Sequence, residues 1–90
     1  MSWYKVSIEI TNILESGKCP HGHKIGEKFE WPDDRGKICG SACHAIYPYV
    51  TGLRAGGAFP WEKDPESCTI CCPDYNNPVV FKMTRGEASE

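Results

Sequence analysis

Residues 39 to 55, Cys39-Gly40-Ser41-Ala42-Cys43-His44-Ala45-Ile46-Tyr47-Pro48-Tyr49-Val50-Thr51-Gly52-Leu53-Arg54-Ala55, are where the chain changes its period. Cys43, Ile46, Tyr47, Val50 and Leu53 recur at helical spacing, and this is the one convincing helix in the sequence. Ser41 is positioned as an N-cap, Arg54 falls in the last turn, and Gly56-Gly57 supplies a stop. Pro48 lies inside the segment and is expected to bend it, because its ring removes one backbone donor and crowds the carbonyl of His44.

On either side the period is two. Tyr4, Val6, Ile8 and Ile10 alternate with Lys5, Ser7, Glu9 and Thr11, the pattern of a strand with one buried face. After a turn at Glu15-Ser16-Gly17-Lys18 and a tight Pro/Gly-fixed knuckle at Cys19-Pro20-His21-Gly22-His23, residues 24 to 31 read as a second strand with Ile25, Phe29 and Trp31 on one parity. Beyond the helix, Cys68 to Cys72 and Val79 to Thr84 read as two more strands around the turn Pro73-Asp74-Tyr75-Asn76-Asn77-Pro78. The expected fold is therefore α+β: a small antiparallel sheet in the order β-β-α-β-β, with one helix packed on one face. Residues 1–85 form a single domain in this reading, and 86–90 a frayed tail.

Ninety residues exclude a multidomain enzyme. With 40% apolar and 24% charged residues the chain lies in the globular range, so it is expected to fold. Ten basic and twelve acidic side chains, the basic ones scattered singly, argue against a nucleic-acid binder. No apolar run approaches a membrane span, and no secretory leader is visible at the start, so a cytoplasmic protein with reduced thiols is expected.

Six cysteines then need a role other than staples, and metal ligation or thiol chemistry comes first. Cys39 and Cys43, four apart on a helix, share a face and sit near its start, where the dipole favours thiolate. Cys43 reads equally well as a small core residue. Cys68 and Cys71 resemble a C-x-x-C chelate, but on a strand they point to opposite faces, so they are assigned to packing. Cys72 stands at a strand end before a proline, and Cys19 and His23 share a turn. The spacings are too irregular for a zinc ribbon. A metal site must be assembled by the fold from Cys19, Cys39 and Cys72, with Cys43, His23 and His44 as candidates for the fourth position; zinc and an iron-sulfur cluster both suit such a set.

The motifs Cys19-Pro20-His21-Gly22-His23-Lys24-Ile25-Gly26, Gly36-Lys37-Ile38-Cys39, His44-Ala45-Ile46-Tyr47-Pro48-Tyr49-Val50, Phe59-Pro60-Trp61, Cys72-Pro73-Asp74 and Asn77-Pro78-Val79-Val80-Phe81 span nearly the whole chain. In them the chain resembles a family of small uncharacterised proteins found largely in anaerobic bacteria and archaea. The resemblance implies that Cys19, Cys39 and Cys72, with His23 and His44, are recurring positions, whereas Cys43, Cys68 and Cys71 vary. An anaerobic setting favours iron-sulfur chemistry and disfavours disulfides.

Three functions follow as expectations. The first is a small metal-binding protein, with a role as accessory to a larger enzyme. The second is an interaction domain, contacting a protein partner or a second copy through Trp31, Phe59 and Trp61, with Tyr47 and Tyr49 nearby. The third is a cysteine-dependent enzyme, with Cys39 activated by His44 or His23 and with Arg54 and Asp74 orienting a small substrate.

Overall fold

A computed structural model describes residues 3–15 and 17–88. Ser16, part of the expected first turn, lies outside the described residues. Four strands and one helix follow in the expected order: β1 (Tyr4–Ile13), β2 (Lys28–Trp31), a 3-10 turn (Arg35–Lys37), α1 (Gly40–Arg54), β3 (Ser67–Cys71) and β4 (Val79–Ala88). They form one antiparallel sheet, ordered β2-β1-β4-β3, with α1 against one face. The two ten-residue strands are central and the short ones form the edges, which limits the length of unpaired backbone.

The alternation in β1 does what its period requires. Val6, Ile8 and Ile10 are buried beneath the helix with Phe29, Trp31, Cys68, Phe81 and Met83, while Ser7, Glu9, Lys28, Glu30, Lys82 and Thr84 lie around a shallow depression of about 380 Å³ on the open face. A register shift between Ile10 and Asn12 inserts one residue against β4, after which Ile13, opposite Val79, is again buried. β2 is shorter than expected. Ile25, assigned by parity to the same strand face as Phe29 and Trp31, precedes it and is exposed, because Gly26 takes φ +95° and turns the chain between them.

On α1 the buried residues are Ala42, Ile46, Val50 and Leu53. At about 100° per residue these four fall within an arc of roughly 80°, whereas Tyr47 lies some 60° beyond its edge and is exposed. Cys39, not Ser41, occupies the N-cap position, and no side chain caps the first turn. Pro48 is accommodated within the helix; both it and His44, whose carbonyl loses its intrahelical donor, face solvent. Gly56, at φ +88°, ends the helix: its N–H donates to the Leu53 carbonyl (3.0 Å) and the Gly57 N–H to the Gly52 carbonyl (2.8 Å). Arg85 Nη1 adds a cap by donating to the carbonyls of Leu53 and Gly57.

Residues 86 to 88, expected in the tail, belong to β4, where Ala88 pairs with Tyr4. Residues 89 and 90 lie outside the described residues.

Candidate functional site

The topology places three connections at one end of the sheet. β1 finishes beside the start of β4, with Ile13 opposite Val79, and β3 finishes there too, with Cys71 opposite Val80. The β1–β2 loop leaves from this end, and the β3–β4 turn spans it.

In the β1–β2 loop, Cys19-Pro20-His21-Gly22 forms a tight turn closed by the Gly22 N–H on the Cys19 carbonyl (2.9 Å), with Gly22 at φ +103°. His23 follows and is buried. Its Nε2 accepts the backbone N–H of Cys39 at 3.0 Å, and its Nδ1 lies 2.8 Å from Glu27 Oε1. An imidazole nitrogen that accepts an N–H carries no proton, so Nδ1 bears the hydrogen and donates it to Glu27. The ring also stands edge-on to Phe29 and Phe81, at centroid distances of 5.7 and 6.2 Å. Burial alone raises the Glu27 carboxyl's pKa, but the hydrogen bonds from His23 and the Lys24 N–H outweigh it, leaving the group below its ordinary value.

Cys39 enters at the start of α1, and its carbonyl accepts the Cys43 N–H at 2.8 Å. Cys72 enters from the end of β3. Its N–H donates to the Val79 carbonyl (2.9 Å), its Sγ accepts the Val79 N–H (3.3 Å), and its S–H donates to the Asn77 carbonyl (3.8 Å). In the same turn, Asp74 Oδ1 accepts the N–H groups of Asn76 and Asn77, and Oδ2 accepts from Asn77 Nδ2.

These three segments border a half-open cavity of about 150 Å³, lined by Cys19, Pro20, His21, His23, Cys39, Ser41, Ala42, Cys72, Pro73, Asp74 and Val79. Its walls are mostly apolar, and the N-terminal end of α1, the positive end of its dipole, forms one of them. Cys19, Cys39 and Cys72, separated by 20 and 33 residues in sequence, thus share one cavity. All six cysteines are free thiols, and no group of three or more His, Cys, Asp or Glu that could hold a metal ion is found among the described residues.

The remaining candidates are not brought in. His23 lines the cavity, but both its nitrogens are engaged, so its role here is to fasten the Cys19 turn to the start of α1. Cys43 packs against the core and does not line the cavity. His44, five residues beyond Cys39, is turned about 140° from it around the helix and is exposed, so it cannot serve as the base for Cys39. Arg54 is at the opposite end of α1, about 20 Å along its axis, where its Nε donates to the Tyr4 carbonyl and its guanidinium stacks on Trp3.

Cys68 is fully buried and Cys71 exposed, so the strand separates the two as its period requires; only Cys68 is a packing residue. Burial pushes the Cys68 thiol up to about 11, with the Glu62 carboxylate adding to the rise and a Trp61 hydrogen bond opposing it. The proposed contact face is also divided. Trp31 pairs with Val6 on the covered face, edge-on to Tyr47, and is core. Tyr49, Phe59 and Trp61 form a separate stack with centroids 5.1 to 6.2 Å apart, and Trp61 is 58% exposed.

His21 and Glu27 join the site without a role expected from sequence, whereas Asp74, expected to orient a substrate, lines the cavity beside Cys72. Two signals in the sequence point toward them: the repeated Cys-Pro dipeptides at 19–20 and 72–73, and the four-residue separation of His23 and Glu27. No helix among the described residues is long and apolar enough to cross a membrane. Compared with protein-family models, curated proteins and solved structures, the chain gives no match.

Proposed function

We propose that this protein binds a metal centre through the thiolates of Cys19, Cys39 and Cys72. The observation that carries the reading is that these three cysteines, from three separate connections of the fold, line one small cavity. The start of α1 lies against the same cavity, and the positive end of its dipole favours negative charge there. A shared metal would tie the β1–β2 loop, the helix start and the β3–β4 turn together, adding stability to a core of modest size. The resemblance to proteins of anaerobes, and six free thiols, fit a reducing, cytoplasmic setting.

Independent cysteine catalysis is the weaker reading. The cavity is smaller than the 300 Å³ or so at which pockets begin to take drug-sized molecules. Neither His23 nor His44 offers Cys39 a free base. A role as accessory to a larger enzyme is supported by the exposed edge of the Tyr49, Phe59 and Trp61 stack, at which aromatic anchors are available.

Metal analysis of anaerobically purified protein tests the reading. Cys19→Ser, Cys39→Ser and Cys72→Ser should each lose the metal, and Cys43→Ser and Cys71→Ser should retain it. A folded wild-type protein that takes up neither zinc nor iron would refute the assignment.

A further inference from the structure

At both edges of the sheet an acidic side chain accepts a backbone N–H that a further strand would otherwise take. On β3 the alternation is fixed at its two ends. The Arg85 N–H donates to the Glu66 carbonyl (2.7 Å), and the Cys72 N–H to the Val79 carbonyl (2.9 Å). The backbone groups of Glu66, Cys68, Ile70 and Cys72 therefore point to β4, and those of Ser67, Thr69 and Cys71 point away from the sheet. The α1–β3 connection takes two of these outward donors: the Ser67 N–H goes to the Asp64 carbonyl (3.2 Å), and the Thr69 N–H to Glu62 Oε2 (3.1 Å).

The β2 edge is closed by the same chemistry. The Glu27 carbonyl accepts the Ile10 N–H, so Phe29 and Trp31 also turn their backbone groups to β1, while Lys28 and Glu30 turn theirs outward. The Glu30 N–H donates to Asp34 Oδ2 (2.9 Å), and its carbonyl accepts the Asp34 N–H (2.6 Å). Asp34 thus makes the two bonds that a residue of a paired strand would make. Lys37 Nζ lies 3.2 Å from its other carboxylate oxygen.

The edges differ in what else deters a partner. β2 has four residues, and its Lys28 and Glu30 oppose edge pairing by their charge. Residues 67–72, Ser-Cys-Thr-Ile-Cys-Cys, carry no charge, no proline and no glycine, the composition of a segment that pairs with copies of itself.

We infer that Asp34 and Glu62 are edge guards, and that Glu62 keeps β3 from pairing with β3 of a second copy of this chain. The test is sedimentation velocity of the full chain over a concentration series, in excess reductant so that the exposed Cys71 forms no disulfide between chains. The mass of Glu62→Ala should rise with concentration to about twice that of wild type, as a dimer forms. Glu62→Gln, whose amide oxygen still accepts the Thr69 N–H, should match wild type. Adding Thr69→Lys to Glu62→Ala puts a charge on the same edge and should restore wild-type behaviour.

Equal masses for Glu62→Ala and wild type would overturn the assignment. So would association that Glu62→Gln shares, or that Thr69→Lys leaves in place, because the contact would then not depend on the capped β3 edge. Hydrogen exchange of the wild type tests the cap without any variant. The Thr69 N–H should exchange roughly tenfold more slowly than the same amide in an unfolded chain, the scale of one hydrogen bond to a charged acceptor. An unprotected rate would overturn the guard role even if Glu62→Ala failed to fold.

Discussion

His23→Ala separates a histidine that builds the site from one that ligates a metal. The substitution removes the acceptor of the Cys39 N–H, and a buried donor left unpaired costs about 1 to 3 kcal/mol. It also removes the bond to Glu27, whose carboxylate is partly exposed, at about 0.5 to 1 kcal/mol, and the ring contacts with Phe29 and Phe81, at about 1 kcal/mol. The cavity adjoins His23, so a water that enters and accepts the Cys39 N–H would hold the loss near the low end. A total of about 2.5 to 3 kcal/mol corresponds, for a domain of this size, to a drop in Tm of roughly 10 to 25 °C. The assay is urea and thermal unfolding of both proteins, with and without chelator. The loss should be the same in metal-free and metal-loaded protein, and His23→Gln, which retains an acceptor, should recover part of it. A loss seen only in metal-loaded protein would show that His23 is a ligand, and a loss below about 0.5 kcal/mol would show that its two hydrogen bonds carry no weight.

Three further outcomes are expected. With a thiol held up to about 11 and no exposure, Cys68 carries about one thiolate in ten thousand at pH 7, so alkylation followed by mass spectrometry should label Cys71 early and Cys68 only after unfolding; early labelling of Cys68 would contradict its burial. Glu27 has a folded pKa below its ordinary 4.5, so its contribution to stability is complete above that value and is lost as pH falls through the lower, folded value. Urea unfolding from neutral pH down to about pH 3 should therefore show the difference between wild type and Glu27→Gln narrowing on acidification; a difference that widens would reverse the sign assigned to the His23 and Lys24 hydrogen bonds. Gly56→Ala places a Cβ at φ +88°, where strain rather than crowding is the cost, since Tyr4 is at an ordinary 3.7 Å; a loss of about 1 to 2 kcal/mol is expected in chemical denaturation, and no loss would mean that the helix end relaxes freely.

Both of the long periodic segments were legible as sequence because burial on one face imposes its own period. Val6, Ile8 and Ile10 can reach a common core only on a strand, and Ile46, Val50 and Leu53 only on a helix, so the α+β architecture follows from their spacing. The same local logic separated Cys68 from Cys71, placed Cys19 in a turn and marked Cys39 and Cys72 as residues at the ends of elements. It could not say which ends meet. That depends on the pairing of β1 with β4, more than sixty residues apart at Ile13 and Val79, which gathers the two Cys-Pro turns at one end of the sheet.

Side-chain roles were less legible because they turn on partners distant in sequence. Period alone left Trp31 available for a partner, and its register against Val6 puts it in the core. His23 has ligand spacing from Cys19, but the Cys39 backbone, sixteen residues away, takes the lone pair that a metal would need. Local sequence thus determined the elements, which follow from the alternation of apolar and polar residues between neighbours. Tertiary structure decided the site, because a cavity and the protonation of a histidine are set by groups that only the completed fold brings together.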